Sequence, residues 1–134
     1  MTEVQDQIRR TLADYCQLLD DGRFDQWADL FTEDARLVLL GKVTTGRDAI
    51  RDYMMEVQPD GSRGLHMTAN SVVDADGDSA TATTDYMFLR PSGTGLAIIA
   101  AGHYHDRLVR DKIRWRFAER GITMLAAPEK SGDG

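Results

Sequence analysis

A chain of 134 residues with 16 basic and 22 acidic side chains carries a formal charge of −6 and is long enough for one domain. Its 42% apolar residues suffice for one core, while the acidic balance argues against the concentrated positive surface that nucleic acid or an anionic membrane requires. The lone cysteine, Cys16, rules out an internal disulfide framework and a cysteine-rich zinc site. The opening MTEVQDQIRR lacks the apolar centre of a signal peptide, and no run of about 18 apolar residues follows, so a cytoplasmic location is expected.

Ile8, Leu12, Tyr15, Cys16 and Leu19 recur at steps of three and four, which predicts a helix from about Val4 to Leu19 or Asp20. Gly22 lets it stop. A shorter helix is expected next, burying Phe24, Trp27, Ala28, Leu30 and Phe31, with a break from Thr32 to Asp34. Arg36 to Leu40 has the length and character of a strand, ended by Gly41. Thr45-Gly46-Arg47-Asp48 has the form of a helix cap, opening a helix with Ile50, Tyr53 and Met54 on one side. Pro59-Asp60-Gly61 then forces a turn.

From there the period changes to two. Leu65–Val73, Ser79–Leu89 and Leu96–Val109 read as strands, followed by Ile113–Ala118, with continuation past Arg120 left open. Asp76-Gly77, Ser92-Gly93 and Asp111-Lys112 supply the corners. Ala80, Ala82, Thr84, Tyr86 and Phe88 share one face, as do Gly102, Tyr104, Asp106 and Leu108, while His103, His105 and Arg107 take the opposite one. Helices first and a strand meander afterwards indicate an α+β domain with mostly antiparallel pairing. The final PEKSGDG has little to bury, so 1–127 is read as the domain and 128–134 as a flexible tail.

Several residues can carry chemistry, each with a plainer reading beside it. Tyr15 is either a core tyrosine or a pocket hydroxyl, and Asp20 either a helix terminator or a carboxylate turned inward. His66, expected to share a strand face with Thr68 and Asn70, exchanges protons near neutral pH, and a neighbouring carboxylate would orient its ring. His103 and His105 have metal-ligand spacing, but Arg107 continues their face and no further ligands cluster, so no metal site is assigned. Asp74, Asp76 and Asp78 suit a tight turn better than a calcium loop. Trp115 and Phe117, alternating with Arg114 and Arg116, read as an inward aromatic face and an outward charged one.

The order and spacing of these residues resemble a known family. The run Tyr15-Cys16-x-x-Leu19-Asp20-Asp21-Gly22-x-Phe24-x-x-Trp27-x-x-Leu30-Phe31-x-x-Asp34-Ala35 is followed by Gly46-Arg47-Asp48-Ala49-Ile50 and His66-x-x-x-Asn70. Then come Asp76-Gly77-Asp78-x-Ala80, Gly102-x-Tyr104-x-Asp106-x-Leu108 and Trp115-Arg116-Phe117-x-x-Arg120. Together they look like a SnoaL-like protein of the nuclear-transport-factor-2-like superfamily. The resemblance implies a cone-shaped barrel, with N-terminal helices packed on a highly curved, mixed but mostly antiparallel sheet around a deep pocket. It also implies pairing of copies as homodimers or higher homo-oligomers. Scytalone dehydratase, the hexachlorocyclohexane dehydrochlorinase and the bile-acid dehydratases in this superfamily use an Asp at the end of the first helix with a strand His. Their pattern carries over to Asp20 and His66, with Tyr15 and Arg120 as further catalytic candidates.

The resemblance thus implies a dehydratase or isomerase that abstracts a proton without a cofactor, or a binding or accessory protein on the same fold. Phe24, Trp27, Phe31, Tyr53, Met54, Tyr86, Phe88 and Tyr104 are the candidate pocket lining, and ordinary core is the plainer reading for at least half of them. As a set they favour a small apolar, aromatic or polycyclic ligand.

Overall fold

A computed structural model describes residues 2–126; the proposed tail at 128–134 lies outside them. The first helix, α1 (Thr2–Asp20), presents Ile8, Leu12, Tyr15, Cys16 and Leu19 to the core. Its end is set by Gly22 at φ 72°, which allows the Arg23 N–H to reach Leu18 O (2.9 Å) and the Gly22 N–H to reach Leu19 O (3.0 Å). This paired closure satisfies carbonyls that would otherwise be orphaned. The helix therefore ends on Asp20, with the carboxylate free to turn inward.

A single turn and a half, α2 (Phe24–Ala28), follows, shorter than the sequence pattern suggests. Phe31 already opens β1 (Phe31–Leu39), so Thr32–Asp34 continues into a strand instead of separating two elements. A second strand, β2 (Lys42–Thr45), folds back on β1. Thr45 pairs with Arg36 in that hairpin and does not cap the next helix; the residue ahead of α3 (Arg47–Val57) is Gly46, at φ 98° and without a side-chain cap bond. After a 3-10 turn at Asp60–Ser62 come β3 (Leu65–Asp76), β4 (Ser79–Ser92), β5 (Gly95–Asp111) and β6 (Arg114–Met124). The three corners fall at the expected Asp-Gly, Ser-Gly and Asp-Lys pairs.

All six strands form one sheet in the order β2-β1-β6-β5-β4-β3. Only β1 and β6 run parallel; the other neighbours are antiparallel. This corrects the expected cone-shaped barrel. The sheet is open, with β2 and β3 as separate edges, and it does not curl strongly. Closure demands matched edge strands with a consistent stagger. Here one edge has four residues and the other twelve, and α1 lies across the inner face against both β3 and β6. The enclosure that a barrel would provide comes from helices laid over an open sheet.

Where α1, α2 and the sheet meet, Tyr15, Trp27, Phe31, Tyr104 and Phe117 form a continuous aromatic cluster with ring centroids 5.0–6.3 Å apart. Beyond it, toward α3, the inner face opens into a cavity.

Candidate active site

Two elements deliver the central pair. Asp20 closes α1, and His66 is the second residue of β3. The Asp20 Oδ2 accepts the His66 backbone N–H at 2.9 Å, while Oδ1 lies 2.6 Å from His66 Nδ1. One carboxylate thus fixes both the strand start and the ring. Because a carboxylate only accepts, Nδ1 carries the hydrogen of this contact, which in the neutral ring leaves the lone pair on Nε2. Both side chains are largely removed from solvent, at 9% and 13% exposure. The ring lies over Phe88, its cross-strand partner on β4, at a centroid distance of 4.4 Å.

His66 forms part of the wall of a cavity of about 240 Å³. Tyr15 and Leu19 contribute from α1, Met54, Val57 and Gln58 from α3, and Ser62 from the 3-10 turn. The sheet supplies Leu39, Tyr86, Phe88, Arg90, Ile99, Ala100, Tyr104, Ile122 and Met124. Most of this lining is apolar, the setting that lets a few polar groups decide orientation.

Behind the Tyr15 and Tyr104 rings lies a buried ion pair. Arg120 Nε and Nη2 donate to the two Asp106 oxygens at 2.7 and 2.8 Å, a fork-to-fork contact. The guanidinium carbon sits 4.2 Å from the Tyr15 ring centre, 3.8 Å from that of Tyr104 and 4.3 Å from that of Phe117. Burial works to lower the Arg120 pKa, but Asp106 outweighs it and the net shift is upward, so the cation persists. Burial pushes the Tyr15 hydroxyl up despite the nearby Arg120, and burial does the same to Tyr104. Both phenols remain protonated donors at neutral pH.

The structure therefore places His66 and Tyr15 in the wall of one cavity with Asp20 bonded behind His66, while Arg120 stands behind the tyrosines and does not line it. Of the eight lining candidates, Met54, Tyr86, Phe88 and Tyr104 face the cavity. The other four do not. Trp27 and Phe31 are fully buried in the aromatic cluster, Phe24 lies under the Arg63 guanidinium, and Tyr53 lies under Lys42 Nζ. The expected His66-Thr68-Asn70 face is also broken. Asn70 adopts φ 55° at a bulge and donates to Asp85 on the outer face, where His103 contacts the same carboxylate.

Sequence reasoning missed the wall from Leu39, Ile99, Ile122 and Met124, together with Gln58, Ser62 and Arg90. For Ile122 the signal was present, since it alternates with inward Arg120 once the last strand is extended past Ala118. The partner of Arg120 was also visible: Asp106 is a carboxylate on the apolar stripe between Tyr104 and Leu108.

The SnoaL-like domain model matches residues 1–121 of the chain. Among solved structures, Rv3472, a protein of unknown function from Mycobacterium tuberculosis, is 30% identical with a TM-score of 0.86, covering 94% of this chain and 73% of its own. A candidate scytalone dehydratase from Novosphingobium aromaticivorans is 21% identical with a TM-score of 0.81, covering 100% and 99%. A protein from Catenulispora acidiphila, solved in complex with S-DNPA, is 23% identical with a TM-score of 0.83, covering 92% and 95%. The latter two likenesses concern fold alone. With almost its whole length matched and its inner face arranged as described, the chain belongs to the SnoaL-like family of the nuclear-transport-factor-2-like superfamily.

Proposed function

We propose that this protein is a cofactor-independent dehydratase or isomerase acting on a small, largely apolar molecule, with His66 as base and Asp20 as its positioning partner. The observation that carries the reading is the 2.6 Å Asp20–His66 contact at the wall of an apolar cavity. Family membership, a candidate scytalone dehydratase among the similar folds and a small-molecule complex in another support a catalytic, small-molecule-binding role.

His66 Nε2 takes a proton from a carbon beside a carbonyl, and the electron pair left behind is shared with the carbonyl oxygen. The Tyr15 hydroxyl, kept protonated by burial, donates to that oxygen as charge develops. In a β-hydroxy compound the electron pair then forms the new double bond, and the hydroxyl leaves as water with the proton from the imidazolium. If no leaving group is present, the imidazolium returns its proton to a different carbon and the result is isomerisation. Arg120 touches no reacting atom in this scheme; its charge acts through the tyrosine rings it supports.

The test begins with deuterium uptake from D2O into cyclic ketones and β-hydroxyketones, read by NMR with the intact protein. His66→Ala and Asp20→Asn are expected to slow exchange by about 10²- to 10⁴-fold while leaving the circular dichroism spectrum unchanged. Normal exchange in both variants would sink the dyad. Tight ligand binding without exchange or elimination would favour the purely binding role.

A further inference from the structure

Arg90 has no part in the proton transfer, yet it lines the same cavity. Its position is built by close packing. A Cβ on Gly64 would collide with the Leu89 carbonyl oxygen and with Arg90 Cγ, so only glycine lets the segment before β3 press against this end of β4. The Arg90 side chain is thereby held between the 3-10 turn and the face of Phe88, 5.9 Å from its ring centre. Its one protein hydrogen bond among the described residues is long, 3.4 Å from Nη1 to Ser62 O, and no carboxylate there lies within ion-pairing distance. Arg63, its neighbour in space at the same turn, is already matched to Asp60 at 3.3 Å. Half-buried Arg90 thus offers a planar fork of donors beside Gln58 and Ser62, and the Phe88 ring it lies over is the one that His66 packs against, at 4.4 Å.

We infer that Arg90 binds a carboxylate on the ligand, so that the preferred substrates are small molecules with an apolar ring body and an acidic group. The inference rests on the reading of the cavity as the substrate site. Guanidinium and carboxylate match as two parallel hydrogen bonds, which gives direction as well as attraction. A single permanent cation in a mostly apolar lining suits a monoanion better than a phosphate dianion. The fork also sets the pose: the acidic group stays with Arg90, and the ring body extends past Phe88 toward Tyr86 and Tyr104, with its reactive carbon at His66.

Naphthalene-2-carboxylate and naphthalene-2-carboxamide form a matched probe pair, with affinity measured by calorimetry on the intact protein. The carboxylate is expected to bind at least about tenfold more tightly, a preference that falls with added salt. Arg90→Met removes the preference but leaves carboxamide binding in place, and Arg90→Lys keeps part of it. His66→Ala retains it, which separates this outcome from the fate of the proton-transfer reading, scored by deuterium exchange. Equal binding of the two probes by the unaltered protein overturns the assignment. So does a preference that survives Arg90→Met or disappears in His66→Ala.

Discussion

Arg120 and Asp106 are buried together with almost no contact with solvent and are joined by two short hydrogen bonds, while Arg120 Nη1 has no partner among the described residues. Removing one member strands a charge in a low-dielectric interior, which typically costs about 3–5 kcal/mol, whereas removing both need not. Asp106→Asn and Arg120→Met are therefore each expected to lower urea stability by about that much. The double variant Asp106→Leu/Arg120→Met should recover a substantial part of the loss. Equal, additive losses would show that the pair contributes through its shape alone. At this scale the helix end at Asp20 and the strand start near His66 were legible, because a helix-ending glycine and a change of period are short-range signals, whereas the pairing of the two was only what the family resemblance implied. Arg120 was less legible. Its guanidinium packs against rings from three elements, so its distance from the cavity depends on tertiary packing that no local pattern encodes.

At the scale of elements, the bulge in β3 decides which side chains reach the inner face. His66 and Thr68 point inward before it, Asn70 bonds outward at it, and Ser71 and Val73 point inward after it, with Ser71 Oγ 3.0 Å from the buried Thr84 Oγ1. One extra residue has shifted the parity of the strand. Asn tolerates the left-handed φ of 55°, and its amide donates to Asp85 at 2.8 Å. Asn70→Val should therefore cost about 1–3 kcal/mol in chemical denaturation, while Asn70→Gly costs clearly less. Similar losses in both would assign the effect to the lost amide bond instead of backbone strain. A strict alternation of two cannot reveal such a bulge, which is why His66 and Asn70 read as one face. The same limit applies at Thr45: its sequence form fits a cap, but pairing with Arg36 in a four-residue strand won. Strands β4 and β5 were legible because unbroken alternation runs through the segments that matter, from Ala80 to Phe88 and from Gly102 to Leu108.

For the whole molecule, the expected barrel gave way to an open sheet because closure depends on the lengths of edges far apart in sequence. The helices that cover this sheet bury acidic protons instead of exposing them. Burial raises Cys16 from its ordinary value of 9.0 up to about 11, and raises Tyr15, Tyr86 and Tyr104 above the usual tyrosine value. These groups are held neutral when folded but ionise at ordinary pH values once unfolded. Their stabilising contribution is complete below the unfolded pKa and is lost as pH rises through the folded one, because the unfolded chain has then released protons that the native chain retains. Stability should stay level up to about pH 8 and decline from about pH 9, each titrating group removing about 1.4 kcal/mol per pH unit. Cys16 accounts for the first part of this decline, since its ordinary pKa is the lowest of the four. Cys16→Ala should delay the onset to about pH 10, where the unfolded tyrosines begin to ionise. Urea midpoints measured across the alkaline range for both proteins give the comparison directly. An identical onset in the two would mean that the thiol is not the group being held neutral, and a native chain equally stable at about pH 11 would remove the buried phenols from the account as well.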